Sequence, residues 1–219
     1  MATHGTEWAY HHWRGSAADF HAEQLGVGRA LWWCDVDSPA LILGSTQNES
    51  DISRRVADES GIQIAQRRSG GGAVYVHPSD SVWIDITIPR HDVLWNDDVS
   101  QSMLWLGDVF VRAFTQWVNA TTFRQSFDAG TDGRVVCFSS AAPGEVYVGG
   151  AKLVGISQRR SRDGARMQCI VYRRWAPEVW SPILTSVDVR RRLSDLAVAT
   201  LEVPAADIVA AVRAELSRL

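Results

Sequence analysis

Between residues 134 and 172 the chain repeats one pattern four times: a short run of apolar and β-branched residues, then a tight polar turn. The runs are RVVCF, EVYV, KLVGISQ and ARMQCIVY. Turns this short join antiparallel strands, because a parallel return needs a crossover of a dozen residues or more. A meander in the second half therefore limits the possible folds more than any other feature. Upstream, SVWIDITIP (81–89) alternates as a strand does. Residues 97–118 place Val99, Met103, Leu106, Val109, Phe110, Phe114 and Val118 at helical spacing, so a long amphipathic helix is expected there.

The remaining elements follow from local chemistry. SAADFHAEQLGVG (16–28) reads as a helix capped by Ser16, and DISRRVADES (51–60) as one capped by Asp51 with Gly61 past its end. ALWWCDVDSPALILG (30–44) reads as two strands turned near Asp37, Ser38 and Pro39. IQIAQ (62–66) and AVYV (73–76) are strands joined by an arginine- and glycine-rich loop. Residues 187–219 form a helical tail, with Pro204 near the start of the last helix. Strands thus run in meanders between helices, which predicts an α+β fold of mixed and antiparallel sheets packed with helices. No repeat or linker interrupts the chain, so residues 1–219 are expected to form a single domain.

Composition excludes several classes. A chain that is 46% hydrophobic and 21% charged can bury a core and remain soluble. A net charge of −3 argues against a sequence-independent nucleic-acid binder. No apolar stretch is long enough to span a membrane, and the opening MATHGTEWAYHHWRG has no apolar signal segment, so a cytoplasmic protein is expected. Cys34, Cys137 and Cys169 form no CxxC pair and are expected as free thiols. The histidines show no metal-ligand spacing, so no metal site is expected.

Two segments carry chemistry. In Arg67-Arg68-Ser69-Gly70-Gly71-Gly72, the glycines let backbone pass close to a ligand, their N–H groups suit an anion, and the arginines supply bidentate donors. The alternative is a glycine hairpin with solvated arginines. In Gly149-Gly150-Ala151-Lys152-Leu153-Val154-Gly155-Ile156-Ser157, a turn delivers a lysine to the start of a strand. Lys152 is the only lysine; the other 21 basic residues are arginines. A compact ammonium on a flexible stem does what a planar fork cannot, such as neutralising a developing oxyanion inside a narrow pocket. The alternative is an exposed turn lysine.

RRSGGGAVY followed by GxKxxGxSQRR resembles the signature of the lipoate–protein ligase and octanoyltransferase superfamily, and Leu43-Gly44-Ser45-Thr46-Gln47-Asn48 resembles its upstream G-x-x-Q-N element. The resemblance is strongest over residues 15–172. It implies the catalytic-domain fold shared with biotin protein ligases and related to class II tRNA synthetases. It implies that Arg67, Arg68, Ser69, Gly70, Gly71 and Gly72 line the pocket for an acyl chain and any adenylate, with Gly155 and Ser157 beside them. It also implies that Lys152 contacts the acyl carbonyl or phosphate. The product would be an amide on a lysine of a lipoyl domain or of the glycine-cleavage H protein.

Two mechanisms occupy this family. Ligases activate lipoate with ATP and Mg²⁺ through an adenylate; transferases take octanoate from acyl carrier protein through a cysteine thioester and need no cofactor. Cys137, in Val136-Cys137-Phe138, lies fifteen residues before Lys152 and resembles the nucleophile of one octanoyltransferase branch. A nearby ammonium would lower its pKa. A buried strand cysteine is the alternative. Cys169, in Met167-Gln168-Cys169, is a second candidate for the same pocket, and Cys34 reads as core. Where ligases continue with His-Asp-x-Gly-Asn, this chain has His77-Pro78-Ser79-Asp80-Ser81, which lacks the asparagine. The accessory domain of many ligases has no room after residue 180, so a separate partner would supply it. These departures favour the transferase. A non-catalytic relative that binds acylated carriers is a further alternative, and biotin protein ligase is disfavoured because its GRGRxGRxW loop is absent. Among ten tryptophans, one or two are expected to wall the apolar pocket.

Overall fold

The computed structural model describes residues 7–26 and 28–219. In chain order its first half contains β1 (Ala9–Gly15), α1 (Ala17–Ala22), β2 (Ala30–Val36), β3 (Ala40–Leu43), α2 (Arg54–Glu59), β4 (Gln63–Gln66), β5 (Val74–Val76) and β6 (Ser81–Pro89). The second half contains α3 (Leu104–Phe114), β7 (Thr121–Thr122), β8 (Val146–Val148), β9 (Ala151–Arg160), β10 (Gly164–Tyr172), α4 (Pro177–Trp180), α5 (Val187–Ser194) and α6 (Ala205–Leu216).

The strands form a seven-stranded sheet, ordered β1-β2-β6-β10-β9-β8-β7, and a three-stranded sheet, ordered β4-β3-β5. The predicted meander is the antiparallel run β8-β9-β10. Two pairs are parallel, β1 with β2 and β3 with β4. The mixed α+β architecture expected from the sequence is present.

β6 is an interior strand of the large sheet, between β2 and β10, and is buried along nearly its whole length. Its two faces differ by the period of two. Val82, Ile84, Ile86 and Ile88 join Met167, Cys169 and Val171 of β10 in a core covered by α3 and α6. Trp83, with Ile170 and Tyr172, faces the small sheet and α1. α3 earns its place there through Leu106, Val109, Phe110, Ala113 and Phe114, all buried on one stripe.

Several expectations are corrected. The helix expected over 97–118 is confined to Leu104–Phe114, because Asp98 and Asn96 side chains accept backbone N–H bonds and hold the preceding residues in turns. The helix at 51–60 is capped by Ser53 rather than Asp51, while Gly61 past its end has φ +65°. Residues 30–36 and 40–43 do not pair with each other; they turn apart into different sheets. β4 and β5 likewise lie on either side of β3. RVVCF is not a strand: Val136 makes one parallel bridge to Ala73, and Cys137–Ser139 is a 3-10 turn.

Candidate active site

The arginine–glycine loop and the Cys137 turn are bonded into one unit. Ala73 N donates to Val135 O at 2.8 Å, and Cys137 N donates to Ala73 O at 3.0 Å. Gly72 makes this approach possible: a Cβ there would lie 2.6 Å from backbone atoms of Val136. At Gly44 the same loop comes closer still, with a hypothetical Cβ 1.9 Å from Gly71 O. Gly71 has φ +98°, while Gly70 faces open space. The glycines expected to admit a ligand thus first admit neighbouring backbone.

Arg67 is buried and binds the loop from beneath. Its Nη2 donates to Gly70 O at 2.9 Å and Gly72 O at 2.7 Å, and Nη1 to Ile42 O at 3.3 Å. Among the described residues no carboxylate pairs with it, and its Nε is buried without a partner. Burial lowers its proton affinity, yet a guanidinium keeps its charge at neutral pH. Ser69 Oγ donates to Gln168 Oε1 at 2.7 Å and lies 3.2 Å from Ser157 Oγ.

Lys152 is 1% exposed. Its Nζ donates to Cys137 O at 3.1 Å and lies 2.8 Å from Glu145 Oε2. Glu145 also accepts from Ala142 N and Ile156 N. Burial pushes the Glu145 carboxyl up, and the Lys152 ammonium pulls it back. Lys152 is therefore neither an exposed turn residue nor a free cation; it holds the Cys137 turn.

Cys137 lines a narrow, mainly apolar cavity of about 20 Å³, walled by Ile42, Val74, Trp83, Phe138 and Ile170. Trp83 is the tryptophan at the pocket; Trp95 and Trp105 pack elsewhere, against Arg160 and Trp8. Gly155 gives the Phe138 ring its place, since a Cβ there would lie 2.9 Å from it. Polar groups enter from Arg67, Ser157, Gln168 and His21. Burial raises the Cys137 thiol pKa, against the lowering pull of Lys152 and Arg67.

Cys169 does not reach this cavity. Gln168 and Ile170 on either side of it face the cavity, so Cys169 faces the α3 core, fully buried. Cys34 is buried, as expected. Arg68 is exposed and borders a second cleft with Arg159 and Arg166. Arg166 Nε is bonded to the fully buried Asp85 carboxylate, which also accepts from Trp83 Nε1 at 2.6 Å.

Sequence reasoning missed His21, Glu145, Gln168 and Asp85 as site residues. Two signals were available: a lone carboxylate opening an apolar strand (Glu145), and polar residues at alternate positions of apolar strands (Asp85, Gln168).

Two sheets close over one cavity, and the cysteine turn is tied to the glycine loop. The model of the lipoyl protein ligase A/B catalytic domain matches residues 14–216, and the chain belongs to this family. It is an enzyme of the ligase and transferase kind, in protein lipoylation. Among solved structures, it resembles a bipartite lipoate protein ligase from Thermoplasma acidophilum, solved in a study with its E2 lipoyl domain. The two share 14% identity and a TM-score of 0.72 over 97% of this chain and 83% of that one. A lipoate-protein ligase A bound with ATP gives 16% identity and a TM-score of 0.71 over 97% and 85%. LipL1 of P. falciparum in complex with lipoate gives 13% identity and 0.69 over 97% and 62%. A search of the curated proteins finds no match. Among the described residues, no helix is long and apolar enough to cross a membrane.

Proposed function

We propose that this enzyme moves a medium-chain acyl group, octanoyl or lipoyl, onto a lysine of a lipoyl domain through a thioester on Cys137. The observation that carries the reading is the placement of Cys137 in the wall of the apolar cavity, beside Arg67 and above the Lys152 ammonium. The apolar walls suit a hydrocarbon chain, which enters this narrow cavity by parting them, and a thiol in the wall suits acyl transfer.

In the first step Cys137 Sγ adds to the donor's thioester carbonyl. The donor's C–S bond breaks, and the donor leaves as a thiol carrying the cysteine's proton. In the second step the acceptor amine attacks the enzyme thioester, and its proton passes to the departing Cys137 sulfur. Lys152 acts through Cys137: its ammonium favours the thiolate and fixes the turn. Arg67, Gly155 and Ser157 line the cavity, Ser69 bonds to the lining Gln168, and Gly70, Gly71 and Gly72 form the loop that Arg67 holds. The donor in this reading is an acyl carrier protein, and the acceptor is a lipoyl domain or the glycine-cleavage H protein. The solved archaeal ligase studied with its E2 lipoyl domain supports the first acceptor.

One observation favours a second reading, an ATP-dependent ligase. The neighbouring cleft, about 300 Å³, is bordered by Arg68, Arg159 and Arg166, whose planar donors suit phosphate. In that reading ATP activates lipoate, Arg68 and Arg159 hold the phosphates, and a separate partner supplies any accessory domain.

Intact mass of an unmodified lipoyl domain separates the two. One reaction contains octanoyl-acyl carrier protein without ATP; the other contains lipoate, ATP and Mg²⁺. A mass gain in the first, lost in Cys137→Ser, is the expected result. A gain only in the second, retained in Cys137→Ser, makes the enzyme a ligase and Cys137 structural. No gain in either leaves an acyl-carrier-binding protein.

A further inference from the structure

The cavity has two ends. Across the sheet, Gly155 of β9, Ile170 of β10 and Trp83 of β6 lie in register. Phe138, next to Cys137, packs over Gly155, whereas the His21 ring lies 4.9 Å from that of Trp83. Two strand spacings, ~10 Å, separate these columns. An extended eight-carbon chain matches that length, with the walls of the narrow cavity parting to admit it. With its carbonyl at Cys137, its tail meets His21.

That end is not built for a plain hydrocarbon. Ser69 Oγ donates to Gln168 Oε1, which turns the Gln168 amide nitrogen toward His21 Nδ1 at 3.4 Å. Nδ1 then accepts, and the ring proton sits on Nε2. His21 Nε2 is buried with no partner. Arg166 Nη2, on the guanidinium that lies over Phe20, is also buried with no partner. The imidazole stays neutral: burial first, then the Arg166 and Arg67 charges, lower its pKa to about 3. It is therefore a fixed donor with nothing to receive its proton, and buried donors left so are uncommon.

We propose that His21 is a specificity-determining donor which reads a hydrogen-bond acceptor on the tail of the acyl group, with Gln168 as the positioning residue that fixes its tautomer. The substrate class is a medium-chain acyl group bearing a tail acceptor, a dithiolane sulfur or a tail oxygen, in preference to plain octanoyl. The inference rests on the reading of the cavity as the acyl site with Cys137 at its reactive end.

The test is calorimetric titration of the whole chain with octanoate, lipoate and 8-hydroxyoctanoate. The unmodified protein is expected to bind one or both tail-bearing acids about tenfold more tightly than octanoate, the effect of one good hydrogen bond. The two acids separate sulfur from oxygen as the acceptor. His21→Phe abolishes the preference, bringing all three acids to similar affinities; His21→Asn, which keeps an N–H donor, retains part of it. Gln168→Leu reduces it and serves if His21→Phe fails to fold. Equal binding of all three acids means that water satisfies His21 and overturns the inference alone. A preference that survives in His21→Phe and Gln168→Leu also overturns it. No binding of any acid, octanoate included, overturns the reading of the cavity and the inference with it.

Discussion

Lys152 Nζ stands 2.8 Å from Glu145 Oε2, with both side chains out of water. Removing one member leaves a buried charge without its partner, so Glu145→Leu is expected to lower stability by about 3–5 kcal/mol. The double variant Glu145→Leu/Lys152→Met should recover much of that loss while remaining inactive. Urea unfolding followed by circular dichroism measures both. Equal stability of the single and double variants would show that the pair is not coupled.

Cys137→Ser exchanges one small buried side chain for another of similar shape. Its melting temperature should stay within a few degrees of the parent, whereas thioester-dependent transfer should fall by at least about a thousandfold, as expected on loss of a nucleophile. Trapping a mass-shifted acyl-enzyme in the parent but not in this variant checks the step directly.

Gly72→Ala drives a methyl group into the Val136 backbone, 2.6 Å away, whereas Gly70→Ala meets nothing within 4 Å. The first should cost about 1–3 kcal/mol, as overpacking does, and should also depress activity by moving Cys137. The second should be close to neutral for stability. Thermal unfolding of the pair distinguishes a steric role from a general need for flexible glycines.

His21 contributes a pH dependence whose sign is fixed. Its pKa falls from 6.5 in the unfolded chain to about 3 in the fold, so between these values the unfolded state binds the extra proton. Stability from this residue is full above pH 6.5 and declines as pH falls toward 3. His21→Phe should flatten that part of the melting-temperature profile relative to the parent. Parallel profiles would mean that His21 is solvated.

Much of this was legible in the sequence. β6, β9 and β10 alternate clearly, and α3 shows its stripe, because each buries one defined face against a helix. The 134–138 segment looks equally strand-like, yet Val135 O and Cys137 N bond to Ala73, a partner no local pattern names. β1 was missed because AYHHWRG is an edge strand with only one neighbour, so few of its side chains need be apolar. The site divides the same way. The glycine loop, Lys152 and Cys137 were visible as motifs. The orientation of Cys169 away from the cavity follows from strand alternation once Gln168 is known to face inward. Asp85 and His21 matter through partners far along the chain, Arg166 and Gln168, which periodicity does not name.

The burial of Lys152 also shields the enzyme from its own chemistry. In the proposed reaction the product is an acylated lysine, and the chain's sole lysine lies 1% exposed, tied to Glu145 and the Cys137 carbonyl. Every other basic side chain is a guanidinium, or an imidazole that forms no stable amide. An activated acyl group that strays from the cavity therefore finds no side-chain amine on the protein's surface. In that reaction no exposed side-chain amine of the catalyst competes with the acceptor's lysine.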